Sequence, residues 1–226
     1  MDLSRSQQII GRCLECTAGN ILTPSHFYII LKHEEWKLDK YSEDIQDFHQ
    51  RTFIYNPVIL TPRHLYSCKI QNKWRRVVLL KTIRGECTIA PIDLGGVTIV
   101  DEDELKELPL HLLAPPPLAI RAHLVGLLPA LHNIWSLDSA NFVADLLCCH
   151  PYGAYFFYFH TDTHSYGINI VNSTGTLNIR QALINESLAR PGYPTIEHLQ
   201  YPHRYQDEIE SDSDSESDDS GIDIDN

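Results

Sequence analysis

APIDLGGVTIV, residues 90–100, carries the sharpest local signal in the chain. An apolar lead-in, a Gly-Gly turn after Asp93 and Leu94, and a β-branched exit predict a tight strand–turn–strand. Turn tips of this kind often hold binding sites, yet this one has no aromatic residue, no His and no Cys. Just upstream, HLYSCKI, WRRVVLLKTI and ECTIAPI are short β-rich runs separated by turn residues around QNK and RGE. Together with VTIV they predict a small β-barrel over residues 64–100.

The flanks are also mainly β, with a few helices. IIGRCLECTAGN and HFYIILKH read as two strands joined by the turn-like Leu22-Thr23-Pro24-Ser25. Trp36, Leu38, Tyr41, Ile45, Phe48 and Phe53 then fall at helical spacing. After the barrel, DEDELKEL starts a helical turn with its acids first, at the positive end of the helix dipole. Leu108 to Leu118 is a proline-rich, near-extended connector. IRAHLVGLLP reads as a strand, and SLDSANFVADLLC as a helix with Ser136 at its N-cap. GAYFFYFHTD, HSYGINIVN and GTLNI read as strands, and RQALINESLA as a closing helix. Strand-rich segments on both sides of a small barrel predict an insertion: residues 55–117 set into a second β-domain built from 8–54 and 118–195.

A chain of 226 residues, 43% hydrophobic, can bury one sizeable core or two small ones. It has no apolar window of 18 residues, so no membrane helix is expected. MDLSRSQQII lacks a signal-peptide apolar region, which predicts an intracellular protein. Ten of the thirty acidic residues lie in 207–226, which has no Lys or Arg; the remaining twenty face eighteen bases, a net of −2. Residues 206–226 are too charged to pack and are expected to be disordered. Ser211, Ser213, Ser215 and Ser220 each have an acid three residues on, which suits acid-directed kinases; the alternative is a simple solubilising run. Lys69, Lys73, Arg75, Arg76 and Lys81 form the one basic stretch, interleaved with strand residues, so nucleic-acid binding is disfavoured.

Nothing in the sequence assembles a catalytic centre. Cys13 and Cys16 form a C-x-x-C without a second pair at similar spacing; Cys148, Cys149 and His150 are the alternative partners for zinc. His160, Asp162 and His164 alternate within HTDTH, at what reads as an exposed hairpin tip. No nucleophile motif and no phosphate-cradling glycine loop is present. The expectation is a protein that is not an enzyme, with no metal and no cofactor.

Six pieces in order resemble one family, the extended Tudor domain of germline Tudor proteins and staphylococcal-nuclease-like Tudor proteins. TAGNILTPSHFYIIL is similar to its opening strands, WRRV to its Trp-Tyr-Arg-Ala, and APIDLGG to its Phe/Tyr-x-Asp-Tyr-Gly-Asn. DELKELP, AIRAHLVGLLP and GINIVNSTGTLNIRQALINESLA resemble the run after the barrel, the returning strand and the closing elements. The resemblance implies a Tudor barrel inserted into a nuclease-like five-stranded barrel, with residues 1–205 forming one extended unit.

The family binds dimethylated arginine in Arg-Gly-rich tails, often of PIWI-type proteins, inside an aromatic box. Its attraction is of a cation to ring faces. Carried onto this chain, the box is degenerate. Arg75, Pro91 and Leu94 stand where three rings belong, Gly96 where the Asn belongs, and Lys69 or Ile70 near the first ring. Arg76 and Asp93 match the family's Arg and Asp, whose implied role is a pair bracing adjacent strands. Trp74 is expected to pack inside the barrel, and Tyr66, Phe27 and Tyr28 at strand-core positions, the alternative being that these three offer a ring surface.

The function implied is an adaptor or scaffold of germline small-RNA (PIWI/piRNA-type) silencing, holding partner peptides with little methylarginine selectivity. Its location would be the cytoplasm and perinuclear germ granules. Two alternatives stand beside it: a self-associating scaffold with an idle groove, and RNA binding through the nuclease-like barrel.

Overall fold

Burial alternates cleanly along Glu86–Pro91, with Cys87, Ile89 and Pro91 inward and Glu86 exposed. The computed structural model of the chain describes residues 8–51, 59–131, 134–149, 152–172, 178–194 and 199. The run 206–226 with its serines, the side chains of Cys148 and Cys149, and His150 lie outside the described residues.

The strands are β1 (Cys13–Thr23), β2 (His26–Leu31), β3 (Leu65–Ile70), β4 (Lys73–Ile83), β5 (Glu86–Pro91), β6 (Thr98–Asp101), β7 (Ile120–Leu124), β8 (Leu127–Pro129), β9 (Tyr152–His160), β10 (Ser165–Asn172) and β11 (Ala189–Pro191). The helices are α1 (Trp36–Arg51), α2 (Leu137–Cys149) and α3 (Ile179–Asn185). DEDELKEL makes only a single 3-10 turn, Glu102–Glu104. Of GTLNI, read as a strand, residues 175–177 lie outside the described residues. Asn178 makes one isolated bridge and then caps α3, its side chain accepting from the Arg180 N–H. Ser136 caps α2 in the same way, accepting from Ser139 N–H at 3.2 Å.

Five strands close a barrel in the order β1-β2-β7-β10-β9, the β7–β10 pair parallel and the rest antiparallel. Phe27, Ile29, Ala122, Phe156, Ile168 and Ile170 fill it completely buried. The barrel's two halves are separated in sequence by an antiparallel sheet, β3-β4-β5-β6, whose β3 edge is extended by a bridge from Ser67 to Lys106. This sheet has its own core of Tyr66, Cys68, Val77, Leu79, Cys87, Ile89 and Leu105.

Trp74 corrects the expectation that it packs inside the small barrel. It lies on the sheet's other face, in a separate cluster with Ile45, Tyr41, Leu65, Leu108 and Leu112. Strand alternation explains this. Val77 and Leu79 face inward, so Trp74 and Arg76 face α1. His49 stacks on Trp74 at 4.6 Å and binds the buried Ser67 hydroxyl at 2.8 Å, fastening α1 across the sheet.

Candidate functional site

The β5–β6 loop is built on Asp93 and two glycines. Gly95 N–H closes a turn onto Pro91 C=O at 2.8 Å, and Gly95 and Gly96 take φ of +80° and +82°. Asp93 is buried and faces Arg76, whose side chain is fully buried. All five guanidinium donors are used. Nε and Nη2 grip Asp93 at 2.8 and 2.6 Å, Nη1 donates to Leu112 and Pro115 carbonyls, and Nη2 donates also to Pro116 C=O. Asp93 in turn accepts from Leu118 N–H at 3.1 Å, and the Tyr41 ring lies 4.6 Å from the guanidinium carbon. A buried ion pair is tolerated only when its remaining valences are met in this way. The pair therefore joins four segments: β4, the loop, the proline connector and α1. That reach exceeds the bracing of adjacent strands that the sequence implies.

Beside this frame lies the open end of the sheet. Arg75 pairs with Cys68 across β3 and β4, and its side chain reaches α1. It is half-buried, and its Nη1 donates to Leu38 C=O at 3.2 Å. Its Nε is buried with no partner among the described residues. Burial pushes its pKa below the ordinary arginine value, with Asp39 and Asp93 opposing. Pro91 is buried opposite Val77, and Leu94 is half-buried. Arg75 lies on β4, while Pro91, Leu94 and Gly96 lie at the end of β5 and in the loop that follows, here termed the rim. None of them carries a ring.

Two groups from the large barrel flank the loop: Asn20, which sequence reading does not place there, and Tyr28, which it offers only as the alternative to a strand-core position. A register shift in β1 between Ala18 and Ile21 turns Asn20 toward the loop, where its N–H binds Leu94 C=O at 2.8 Å. A Cβ added to Gly96 would sit 2.0 Å from Asn20 Nδ2, so this exposed amide fills the space a side chain at 96 would occupy. The Tyr28 ring covers Gly95, whose added Cβ would lie 2.0–2.4 Å from ring atoms. Burial raises the Tyr28 pKa; Arg121 and the Gly96 backbone oppose it. The one sequence signal for this approach is Gly19, where a Cβ would come 2.6 Å from Leu94 O.

The other candidate clusters do not converge. Among the described residues no three His, Cys, Asp or Glu side chains are placed to hold a metal ion. Cys13 is exposed while Cys16 is buried, its thiol pushed up to about 12 mainly by burial. His160 Nδ1 binds the Thr163 hydroxyl at 3.2 Å, within the β9–β10 turn. No helix is long and apolar enough to cross a membrane among the described residues.

A protein-family model of the Tudor domain matches residues 11–126, just over half of the chain. The chain belongs to the Tudor domain family. Its fold is similar to that of solved extended Tudor domains. That of human TDRD1, in complex with a symmetrically dimethylated peptide, matches with a TM-score of 0.73 and 16% identity, over 81% of this chain and 92% of that one. That of Drosophila melanogaster Papi, in complex with an unmethylated Piwi N-terminal peptide, gives 0.72 and 12%, over 80% and 100%. That of Drosophila melanogaster Tudor-SN gives 0.69 and 16%, over 90% and 94%. Comparison with curated protein sequences finds no match. In Tudor terms, the four-stranded sheet is the Tudor element and the closed barrel the nuclease-like one.

Proposed function

We propose that this Tudor protein is a non-enzymatic peptide-binding adaptor of PIWI/piRNA-type silencing that holds partner segments with little preference for methylated arginine. The observation that carries the reading is the rim itself. The Arg76–Asp93 frame positions the loop, while Arg75, Pro91, Leu94 and Gly96 offer no ring face to a methylated guanidinium. Ring faces supply the attraction that would select a methylated cation, and Arg75 adds a like charge. Residues 1–205 act as one extended unit, with 8–54 and 118–195 as the nuclease-like part. Support for a PIWI-type partner comes from Papi, solved with a Piwi peptide. The working location is the cytoplasm, including perinuclear germ granules.

The test is a fluorescence-anisotropy titration of an unmethylated Arg-Gly peptide of PIWI type into the chain and its Asn20→Ala/Leu94→Ala variant. The variant removes the rim's amide and apolar contact. A loss of at least about fivefold supports the reading; unchanged affinity removes the rim as the site.

A scaffold role has one observation in its favour. Tyr155 and Phe157 stand 39% and 47% exposed on β9, in edge contact at 4.7 Å. Light scattering of the chain and of a Tyr155→Ser/Phe157→Ser variant tests it. A larger species that dissolves in the variant would establish self-association.

A further inference from the structure

The four-stranded sheet ends on β6, and that edge is open. Glu102 N–H donates to Gly85 C=O at 2.9 Å, in the register that pairs Ile99 with Thr88 and Asp101 with Glu86. Antiparallel strands alternate hydrogen-bonded and non-hydrogen-bonded pairs. Thr98, Val100 and Glu102 therefore turn their backbone groups toward β5, and Ile99 and Asp101 turn theirs away from it. Among the described residues no hydrogen bond reaches these outward groups. Lys106 bridges to Ser67 on β3, at the opposite edge of the sheet, and leaves β6 unpaired. The side chains along the edge are apolar and exposed, Val97 by 48% and Ile99 by 62%. An unpaired edge of this kind is a template for another strand.

The charge beside the edge selects which strand. Asp101, Glu102, Asp103 and Glu104 are all exposed, and an exposed Glu86 stands opposite Asp101. None of these acids forms an ion pair among the described residues. The cations near them are engaged or set apart. Lys106 donates to Asp103 C=O, Lys81 lies two strands in along the row Lys81–Thr88–Ile99, and Arg84 sits in the β4–β5 turn. A second copy of this chain is the wrong occupant, because it brings the same acids and a net charge of −12. Like charges across a pairing edge repel, and opposite charges steer and hold.

We propose that β6 is a docking edge for an extended cationic segment of a partner protein, in which an apolar residue has Lys or Arg two positions away. The segment adds a fifth strand to the sheet. Its backbone meets the outward N–H and C=O groups of Ile99 and Asp101, which supplies the affinity. Residues two apart share one face of a strand, so its apolar side chain lies by Ile99 while its cation lies by Asp101. The edge is distinct from the rim residues 91, 94 and 96.

The probe is the peptide Thr-Lys-Thr-Val-Thr-Lys-Thr, with Thr-Glu-Thr-Val-Thr-Glu-Thr as its counterpart. Each is titrated by NMR into the full isotope-labelled chain, both unaltered and with the ten acids of 207–226 changed to Asn and Gln, so that this run cannot take up the cations itself. In both chains the Lys peptide should shift the signals of residues 98–101 and slow amide exchange at Ile99 and Asp101, leaving Val100 unchanged. Ile99→Pro removes an outward donor while sparing the bonds to β5, and should weaken binding at least about tenfold. Should that variant not fold, Ile99→Lys keeps the backbone, sets a like charge against the probe and should weaken binding at least about fivefold. Asp101→Asn/Glu102→Gln/Asp103→Asn/Glu104→Gln should weaken it at least about threefold. Unchanged binding in the folded variants, shifts that spare 98–101, or equal binding of the two peptides would each overturn the proposal. So would a dimer in light scattering that Ile99→Pro dissociates, because the edge would then hold a second copy. The adaptor reading stands or falls apart from this, on Arg-Gly peptides and the Asn20→Ala/Leu94→Ala variant.

Discussion

Replacing Asp93 by Ala tests the frame on which the Tudor rim is built. Arg76 has no exposed side-chain surface, and two of its five donors lose their acceptors when the Asp93 carboxylate goes. Leu118 N–H loses its acceptor as well. Leaving one partner of a buried ion pair alone costs about 3–5 kcal/mol, and an orphaned buried amide adds about 1–3 kcal/mol. A domain of this size has only about 5–15 kcal/mol to lose. Asp93→Ala is therefore expected to lower stability by at least about 3 kcal/mol. Arg76→Met should cost a similar amount. The double variant Arg76→Met/Asp93→Ala should lose much less than the two single losses combined, because no charge is left stranded. The assay is equilibrium urea unfolding followed by tryptophan fluorescence, with hydrogen exchange over residues 109–118. Those residues should lose protection first, since three of their carbonyls accept from Arg76. A single-variant loss under about 1 kcal/mol, or full additivity in the cycle, would refute the reasoning.

Further outcomes follow from the same geometry. His123 is fully buried between Ser165 and Tyr158, and burial, with help from His160 and Arg121, lowers its pKa to about 4. Its folded pKa lies below its unfolded value, so the unfolded chain binds the extra proton between about pH 6.5 and 4, and stability falls as pH drops through that window. The maximum loss is about 3 kcal/mol; a His123→Asn chain with the same pH slope in urea melts would contradict this. Gly95→Ala forces φ of +80° on a Cβ-bearing residue and drives that Cβ into the Tyr28 ring. It should cost at least about 1–2 kcal/mol, partly recovered in the Gly95→Ala/Tyr28→Ala double variant by thermal melts. Rebuilding rings at the rim with Arg75→Tyr, Pro91→Phe and Leu94→Tyr, the Asn20 amide kept in place beside Gly96, should create a preference for dimethylated arginine of at least tenfold. Each ring is worth about 0.5–2 kcal/mol, and calorimetry showing no such preference in the folded variant would contradict the assignment of these positions.

Much of the architecture is legible in the sequence because its signals are local. Period-two burial marks β5, Ser136 marks the start of α2, and the Gly-Gly turn marks the loop after Asp93. The order of strand-rich segments around residues 64–100 announces the split barrel. The contacts that finish the rim are not local. Asn20 reaches Gly96 only because a β1 irregularity turns it there, and Tyr28 meets Gly95 only once the large barrel is closed. Trp74 is the instructive miss. An apolar ring in a strand suggests the strand's own core, but alternation fixed by Val77 and Leu79 puts it under α1. The reach of Arg76 to the carbonyls of 112, 115 and 116 is likewise invisible until the connector folds back over β4.

The central claim is that the Tudor frame persists without a methylarginine-reading rim. A paired calorimetric titration tests it most directly, with one Arg-Gly peptide of PIWI type in unmethylated and symmetrically dimethylated forms against the unaltered chain. The account predicts dissociation constants within about twofold of each other, since none of residues 75, 91, 94 and 96 itself carries a ring. Dimethylated peptide binding tenfold or more tightly, about 1.4 kcal/mol, would contradict it.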